Sequence, residues 1–418
     1  MDKFIIKGPV KLKGKVTISG SKNAALPILF ASLLIKDIVE IKNVPNLKDI
    51  DIAIKILIKL GVKIERKKSL IINAINILQC NPPSHLIKSI RASIWILSPL
   101  LKRTGKVNVS FPGGCSIGDR PIDLHINSLK ILGANINVKK NYIKGYIKTN
   151  FKGNIICMKN ISVGATITTI IAATLASNVT IIENAAKEPE IQDLANFLNT
   201  MGANIQGAGT NKIVIEGVKK LKGGVYTIIS DRIETGTFLV AAAICKSKIL
   251  CKNTNPNNLN IVLNKLKKTG AEIEIGKNWC SINMHGKRPK SVNIITGPYP
   301  NFPTDMQSQF ALLNLISTGI STIKENIFKN RFMYVPELIR MGANIILKKN
   351  ILKCKGIKSL SGSEVIATDL RASVSLVLAG CIASGITIIN NISHIDRGYE
   401  NIENKLSSLG ANIKRIKY

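Results

Sequence analysis

The sequence predicts an α/β protein of two closed, pseudo-threefold domains. Three observations point there: a short phrase recurring six times, an almost wholly apolar helix recurring in step with it, and 45% apolar residues. That content is ample for packed cores and excludes disorder. At 418 residues the chain exceeds what one core usually organises, so two domains are the expectation.

The phrase reads K-L-G-V-K-I around Gly61, I-L-G-A-N-I around Gly133 and M-G-A-N-I around Gly202. It returns as K-T-G-A-E-I around Gly270, M-G-A-N-I around Gly342 and L-G-A-N-I around Gly410, at intervals of 72, 69, 68, 72 and 68 residues. Ahead of each glycine runs an amphipathic helical pattern, as in I-D-I-A-I-K-I-L-I-K-L or N-I-E-N-K-L-S-S-L. The glycine suits a helix stop, and the A-N-I-x-I that follows reads as a strand. Several copies add a second strand across a Lys-Asn or Gly-Asn turn.

Earlier in each unit comes a helix apolar on nearly every side. Its copies are A-A-L-P-I-L-F-A-S-L-L, A-S-I-W-I-L-S-P-L-L, A-T-I-T-T-I-I-A-A-T-L-A, T-G-T-F-L-V-A-A-A-I-C, D-M-Q-S-Q-F-A-L-L-N-L-I and R-A-S-V-S-L-V-L-A-G-C-I. Such a helix must be buried. Units of about 70 residues exceed the common solenoid repeats, so six of them divide as three plus three in closed domains. The uncharged stretches 160–182 and 372–393 fit this repeat and are broken by polar residues, which argues against membrane spans.

The net charge of +34 points, taken alone, to nucleic acid, an anionic membrane or an anionic small substrate. Its lysines are scattered among abundant Ile and Asn, and aromatics are only 5%. The charge therefore reads as background composition, and neither nucleic acid nor membrane is an expected partner. The eight cysteines form no C-x-x-C pair, and several lie in apolar runs as small hydrophobes. With no signal peptide in M-D-K-F-I-I-K, a reducing cytoplasm without disulfides is the expectation. The four histidines show no metal-ligand spacing, and no Rossmann or P-loop motif occurs, so no metal or cofactor is expected.

The stretch F-P-G-G-C-S-I-G-D-R-P, residues 111–121, has the glycines and prolines of a mobile loop. Cys115 is there either a small filler or a thiol activated by cations such as Arg120. Five further motifs accompany it: G-S-K-N-A-A-L-P from Gly20, R-A-S-I-W from Arg91, F-P-T-D-M-Q from Phe302, T-D-L-R-A-S from Thr368 and H-I-D-R-G-Y-E from His394. Together, over essentially the whole chain, they closely resemble the UDP-N-acetylglucosamine 1-carboxyvinyltransferase family, the enolpyruvyl transferases of peptidoglycan precursor synthesis.

That resemblance implies the enolpyruvyl transferase fold: two inside-out α/β barrel domains of three βαβαββ units each, helices inside and sheets outside. It implies a discontinuous domain of residues 1–20 plus 230–418, a second of residues 21–229 carrying the Cys115 loop, and a substrate cleft between them. It implies a cytoplasmic, monomeric enzyme acting on phosphoenolpyruvate and the 3′-hydroxyl of UDP-N-acetylglucosamine, with fosfomycin as a covalent inhibitor at Cys115.

The reaction must hold a phosphate and a carboxylate, protonate a carbon and deprotonate a hydroxyl. Lys22 and Asn23, at the start of a buried helix behind Gly20, suit phosphate. Arg91 and Arg371 head apolar helices and are expected to turn their forks out of the core; the resemblance makes Arg91 a nucleotide-sugar contact and Arg371 part of the anion site. Arg120 and Arg397, each after an aspartate, are expected to clamp the small dianion. The resemblance makes Cys115 the acid that protonates carbon and its glycines lid hinges, with Asp305 the base for the sugar hydroxyl and Lys22 and Arg397 completing the catalytic set. Thr304-Asp305 and Ser230-Asp231 also read as helix caps.

For the UDP-sugar the family pattern falls on Arg120, Pro121, Ile122, Asp123 and Leu124, then Asn160, Ile161, Ser162 and Val163, then Asp305 and Ile327, while Asp231 resembles a substrate-binding aspartate of the family's cleft. Asp369, Glu188 and Glu190 are weaker candidates for shaping the cleft. One departure stands out: the family usually has a lysine where this chain has Asn160, its own lysine being Lys159. The rival enolpyruvyl transferase, which acts on shikimate 3-phosphate, lacks the cysteine loop. A non-catalytic relative is disfavoured by the presence of Lys22, Cys115, Asp305 and Arg397.

Overall fold

In the computed structural model, which describes residues 2–113 and 121–417, the repeat is visible first in its glycines. Gly61, Gly133, Gly202, Gly270, Gly342 and Gly410 all take a positive φ, from 91° to 103°. Each closes a helix in the same way. The Gly61 N–H bonds the Ile58 carbonyl while the Val62 N–H bonds the Leu57 carbonyl, and the other five copies repeat both bonds. This stop needs a left-handed residue, which glycine supplies without a Cβ penalty. The helices so ended are Lys48–Lys59, Asp123–Ile131, Pro189–Thr200, Asn260–Lys268, Val335–Arg340 and Ile402–Ser408.

The apolar helices are Lys22–Ala31, Val163–Ala173, Arg232–Ile244, Gln307–Ile316 and Leu370–Ile382. The second copy differs: a 3-10 segment, Arg91–Ile96, runs into the α-helix Leu97–Thr104. All of Gln307–Ile316 is buried, whereas strands such as Val179–Glu183 and Lys212–Glu216 bury roughly every other residue. Helices therefore lie inside and sheets outside, each sheet showing one face to solvent. No described helix is long and apolar enough to cross a membrane. The two uncharged stretches each divide into a buried helix and a following strand, Val179–Glu183 or Gly385–Asn390.

The third unit shows the βαβαββ order most simply. Strand Ile155–Cys157 leads through the helix Val163–Ala173 to a parallel partner, Val179–Glu183. After the helix Pro189–Thr200, strands Asn204–Gln206 and Lys212–Glu216 add antiparallel. Elsewhere the sheet is completed by distant chain. Gly224–Thr227 lies parallel to Ile38–Lys42 and Lys13–Thr17 parallel to Lys248–Lys252, while Lys3–Gly8 pairs with both Gly385–Asn390 and Asn412–Ile416.

Five of the sheets among the described residues have four strands. The sixth, Lys106–Ser110 with Tyr142–Tyr146 and Asn135–Val138, has three. Pro82 and Pro83 occupy the approach to its first helix, and proline has no N–H for a ladder.

The residues gather into two compact units, one of residues up to Ser19 with those from Ser230 onward, the other of residues from Gly20 to Ile229. Each has its own apolar core. The seven described cysteines are free, and five of them are buried. Burial pushes the thiols of Cys354 and Cys381 up to about 12, as fits inert filler.

Candidate active site

In the unit that holds Asp305, three apolar helices begin side by side. Gln309 Nε2 donates to Thr237 Oγ1 at 3.1 Å, and Ser308 Oγ donates to the Arg371 carbonyl at 2.8 Å. Three helix N-termini thus lie together, and their free N–H groups favour anions. Two are capped by aspartates. Asp231 accepts the N–H groups of Ile233 and Glu234 at 2.7 and 3.0 Å. Asp369 accepts those of Arg371 and Ala372 at 2.9 and 3.1 Å.

Asp305 does something else. It sits in the 3-10 turn Thr304–Met306, and its carboxylate makes no cap. Oδ1 accepts from Arg331 Nη2 at 2.5 Å and Oδ2 from Arg371 Nη2 at 2.9 Å. Arg371 corrects an expectation: its fork stays inside, at 5% exposure. Burial opposes its charge, but Asp305, then Tyr399 and Asp231, outweigh that and raise its pKa. Its other nitrogen, Nη1, donates to the Tyr399 hydroxyl at 3.1 Å.

Ile327 is half exposed, and its turn is tied to the Asp305 turn through one side chain. Glu325 accepts the Ile327 N–H at 2.8 Å and the Thr304 hydroxyl at 2.9 Å. Arg397 ends the 3-10 segment Ile392–Arg397, half-buried and two residues before Tyr399. Its neighbour Asp396 serves Arg415 instead, at 2.6 and 3.2 Å.

In the other unit, Lys22 opens the helix Lys22–Ala31 and is 9% exposed. Its ammonium meets Asp49 Oδ2 at 3.1 Å; Asn23 follows, half-buried. Gly20 has a packing reason of its own. A Cβ there would lie 1.8 Å from the Asn43 carbonyl oxygen.

Arg91 heads its 3-10 segment, which packs against both Lys22–Ala31 and Val163–Ala173. His125, from the P-I-D-L-H run, is buried with Nδ1 2.7 Å from Thr168 Oγ1. Burial, and then Arg91, lower its pKa to about 3, so it is neutral. A Cβ on Gly164 would lie 2.9 Å from the His125 ring, and Trp95 Nε1 donates to the Gly164 carbonyl at 3.0 Å. Ser162 caps the same helix, accepting from the Ala165 N–H at 3.2 Å. Arg91, the His125 helix and Ser162–Val163 are thereby gathered at one place.

The remaining nucleotide-sugar candidates vary in exposure. Pro121, Asp123, Asn160 and Ile161 are exposed, Leu124 and Val163 are half-buried, and Ile122 is buried; Lys159 is exposed too. Glu188 precedes the helix Pro189–Thr200, and Glu190 is buried in its first turn. Cys115 and Arg120 lie outside the described residues. Gly113, just before them, does not have free space about it. A Cβ there would lie 1.6 Å from the Lys88 carbonyl oxygen, so close packing rather than hinge freedom requires the glycine.

Sequence reasoning missed Asp49, His125, Arg331 and Tyr399. Asp49 looks like a solvated residue in the first turn of an amphipathic helix, and N-R-F gives no hint that Arg331 reaches Asp305. Tyr399 stood inside H-I-D-R-G-Y-E and His125 directly follows the candidates Pro121 to Leu124, and that placement was the available signal.

Comparison with known proteins is consistent along the full length. The family described as EPSP synthase (3-phosphoshikimate 1-carboxyvinyltransferase) matches residues 6–406. UDP-N-acetylglucosamine 1-carboxyvinyltransferase of Photorhabdus laumondii is 59% identical over 417 residues, covering 100% of this chain and 99% of that one. The protein of the same name from Escherichia coli O157:H7 is 59% identical with 100% of both chains covered. Among solved structures, the enolpyruvyl transferase NikO from Streptomyces tendae superposes with a TM-score of 0.90 at 22% identity, covering 100% of this chain and 99% of that one. EPSP synthase from Acinetobacter baumannii gives 0.78 at 18%, with 100% of both covered. At those identities the two structures speak for the fold alone. With helices inside, sheets outside, and relatives at this identity end to end, the chain belongs to the UDP-N-acetylglucosamine 1-carboxyvinyltransferase family of enolpyruvyl transferases.

Proposed function

We propose that this protein transfers the enolpyruvyl group of phosphoenolpyruvate to the 3′-hydroxyl of UDP-N-acetylglucosamine, the first committed step of peptidoglycan precursor synthesis. The reaction is an addition followed by an elimination. The sugar oxygen bonds C2 as C3 gains a proton; then C3 loses a proton and the C2–phosphate bond breaks. The observation that carries the reading is Asp305, whose carboxylate is held between two buried guanidinium groups at a cluster of helix N-termini. A carboxylate so paired favours its charged form, the form that accepts a proton.

On this reading Asp305 takes the hydroxyl proton and Cys115 supplies the proton to C3. Lys22, Asn23, Arg120 and Arg397 receive the phosphate and carboxylate of phosphoenolpyruvate, and the buried position of Lys22 at a helix start supports its part. Arg91, Pro121, Ile122, Asp123, Leu124, Asn160, Ile161, Ser162, Val163, Asp231 and Ile327 hold the nucleotide sugar. Arg371 acts chiefly through Asp305. Asn160 offers a hydrogen bond where the family pattern has a charge, so diphosphate recognition leans on Arg91 and Arg120.

The catalytic groups come from both domains, 1–20 plus 230–418 and 21–229, and serve one substrate pair. The protein works as a monomer in the cytoplasm, as its unbridged cysteines support, and fosfomycin alkylates Cys115.

The test is phosphate release from phosphoenolpyruvate with each of two acceptors. Turnover with UDP-N-acetylglucosamine is expected, with heavy loss in Cys115→Ser and after fosfomycin treatment. Turnover only with shikimate 3-phosphate would overturn the acceptor, and a fully active Cys115→Ser would overturn the role of the thiol.

A further inference from the structure

We infer that Arg331 is the positioning residue of the active site: it sets the orientation and the charge of the Asp305 carboxylate without touching substrate. The inference rests on the reading of Asp305 as the base for the sugar hydroxyl. Arg331 stands outside the motifs that carry the family resemblance.

Geometry separates it from the substrate-binding arginines. The Arg331 side chain is 4% exposed, while that of Asp305 is 29% exposed. The carboxylate reaches solvent and the guanidinium does not. The fork of Arg331 grips two points of a single turn, since Nη2 bonds Asp305 Oδ1 at 2.5 Å and also reaches the Thr304 carbonyl at 3.3 Å, with Nε at 3.4 Å from that carbonyl. The Phe328 ring lies 5.6 Å from its guanidinium carbon, and the Phe328 N–H is held by Glu325 at 3.1 Å.

A lysine ammonium, with one nitrogen, cannot reproduce this two-point grip. A guanidinium this enclosed is stable only when paired, so the arginine and the carboxylate need each other. With Arg371 on Oδ2, each carboxylate oxygen has an inward guanidinium partner.

Among the described residues, the charged and titratable groups that face the Asp305 turn include Arg331, Arg371 and Glu325, with Tyr399 and Asp231 acting on Arg371. Of these, Arg331 and Arg371 contact the carboxylate directly. Removing Arg331 takes a contacting cation away from the carboxylate, so proton affinity at Asp305 rises. The acid limb of the pH–rate profile, which reports the essential base, then moves to higher pH.

The experiment compares Arg331→Gln, Arg331→Lys and Asp305→Asn in the full-length enzyme, following phosphate release with UDP-N-acetylglucosamine and phosphoenolpyruvate from pH 5 to 9. Arg331→Gln should lower kcat by about 10-fold or more and raise the acid limb of kcat/KM by about one pH unit. Arg331→Lys should keep the limb near its parental place with kcat reduced several-fold. An Arg331→Gln enzyme with parental kcat and an unmoved limb overturns the inference, as does equal loss in both variants with no limb shift. Should Arg331→Gln fail to fold, Arg331→Lys decides: parental kcat overturns the need for a fork. Full activity in Asp305→Asn would sink the underlying reading of the base, an outcome distinct from those above.

Discussion

Lys22 and Asp305, to which the proposed mechanism gives the chemistry, are each held by an opposite charge that their own motifs do not contain. Lys22 leans on Asp49, with side-chain exposures of 11% and 6%. A pair so enclosed is costly to break from one side. Asp49→Asn should therefore destabilise the unit containing it by about 3 kcal/mol and raise KM for phosphoenolpyruvate. Urea unfolding and steady-state kinetics on one preparation check both effects; an unchanged urea midpoint would show the pair to be dispensable.

Individual residues were legible in the sequence where a motif carried them and illegible where a partner came from far along the chain. Asp305 could be singled out from F-P-T-D-M-Q, but its bonds to Arg331 and Arg371, 26 and 66 residues away, could not. Arg371 illustrates the cost: an arginine at the head of an apolar helix was expected to face outward, and its bond to the Asp305 carboxylate keeps it in.

At the scale of the element, the repeated glycine is the clearest signal in the chain. A left-handed stop with φ near 100° favours glycine wherever it recurs, so the glycine stays visible in all six copies while the residues around it differ. Space around these glycines then sorts the cost of substitution. Gly133, Gly202, Gly270 and Gly342 have no atom within 4 Å of a built Cβ. Alanine at each should cost only the backbone penalty, about 1–2 kcal/mol, and equally at all four. At Gly61 the Cβ would meet Leu78 at 2.6 Å, so Gly61→Ala should cost more. Chemical denaturation of the five variants tests this, and a spread among the four larger than the gap to Gly61 would contradict it. The element that sequence reasoning misread was the second apolar copy, where, among the described residues, no strand precedes the helices at Pro82 and Pro83 and a 3-10 segment, Arg91–Ile96, follows. Proline alters backbone bonding in ways that hydrophobic period does not register.

At the scale of the molecule, two cores rather than one imply two partly independent sources of stability. Asp193 belongs to the core of residues from Gly20 to Ile229. It accepts from the Tyr226 hydroxyl at 2.6 Å, and burial foremost pushes its pKa up to about 6. The folded state therefore binds a proton that the unfolded chain releases near pH 4. That stabilisation is complete below pH 4 and is lost as pH rises through 6, a change of about 3 kcal/mol. Asp193→Asn should flatten stability over that window; a parental slope in the variant would contradict it. The six-fold order of the whole was readable from the sequence because period and glycine placement are local properties. Closure of sheets by Lys3–Gly8, Lys13–Thr17 and Gly224–Thr227 was not readable from period, since those strands pair with chain far away.

The central proposal is that Lys22 and Asp305 serve the same reaction. A double-mutant cycle on kcat/KM for phosphate release, using Lys22→Ala, Asp305→Asn and the combined variant, measures it most directly. Each single change should cost about 100-fold or more, and the combined variant should fall well short of the product of the two losses. Losses that multiply in full, or a single variant with parental activity, would contradict a shared role.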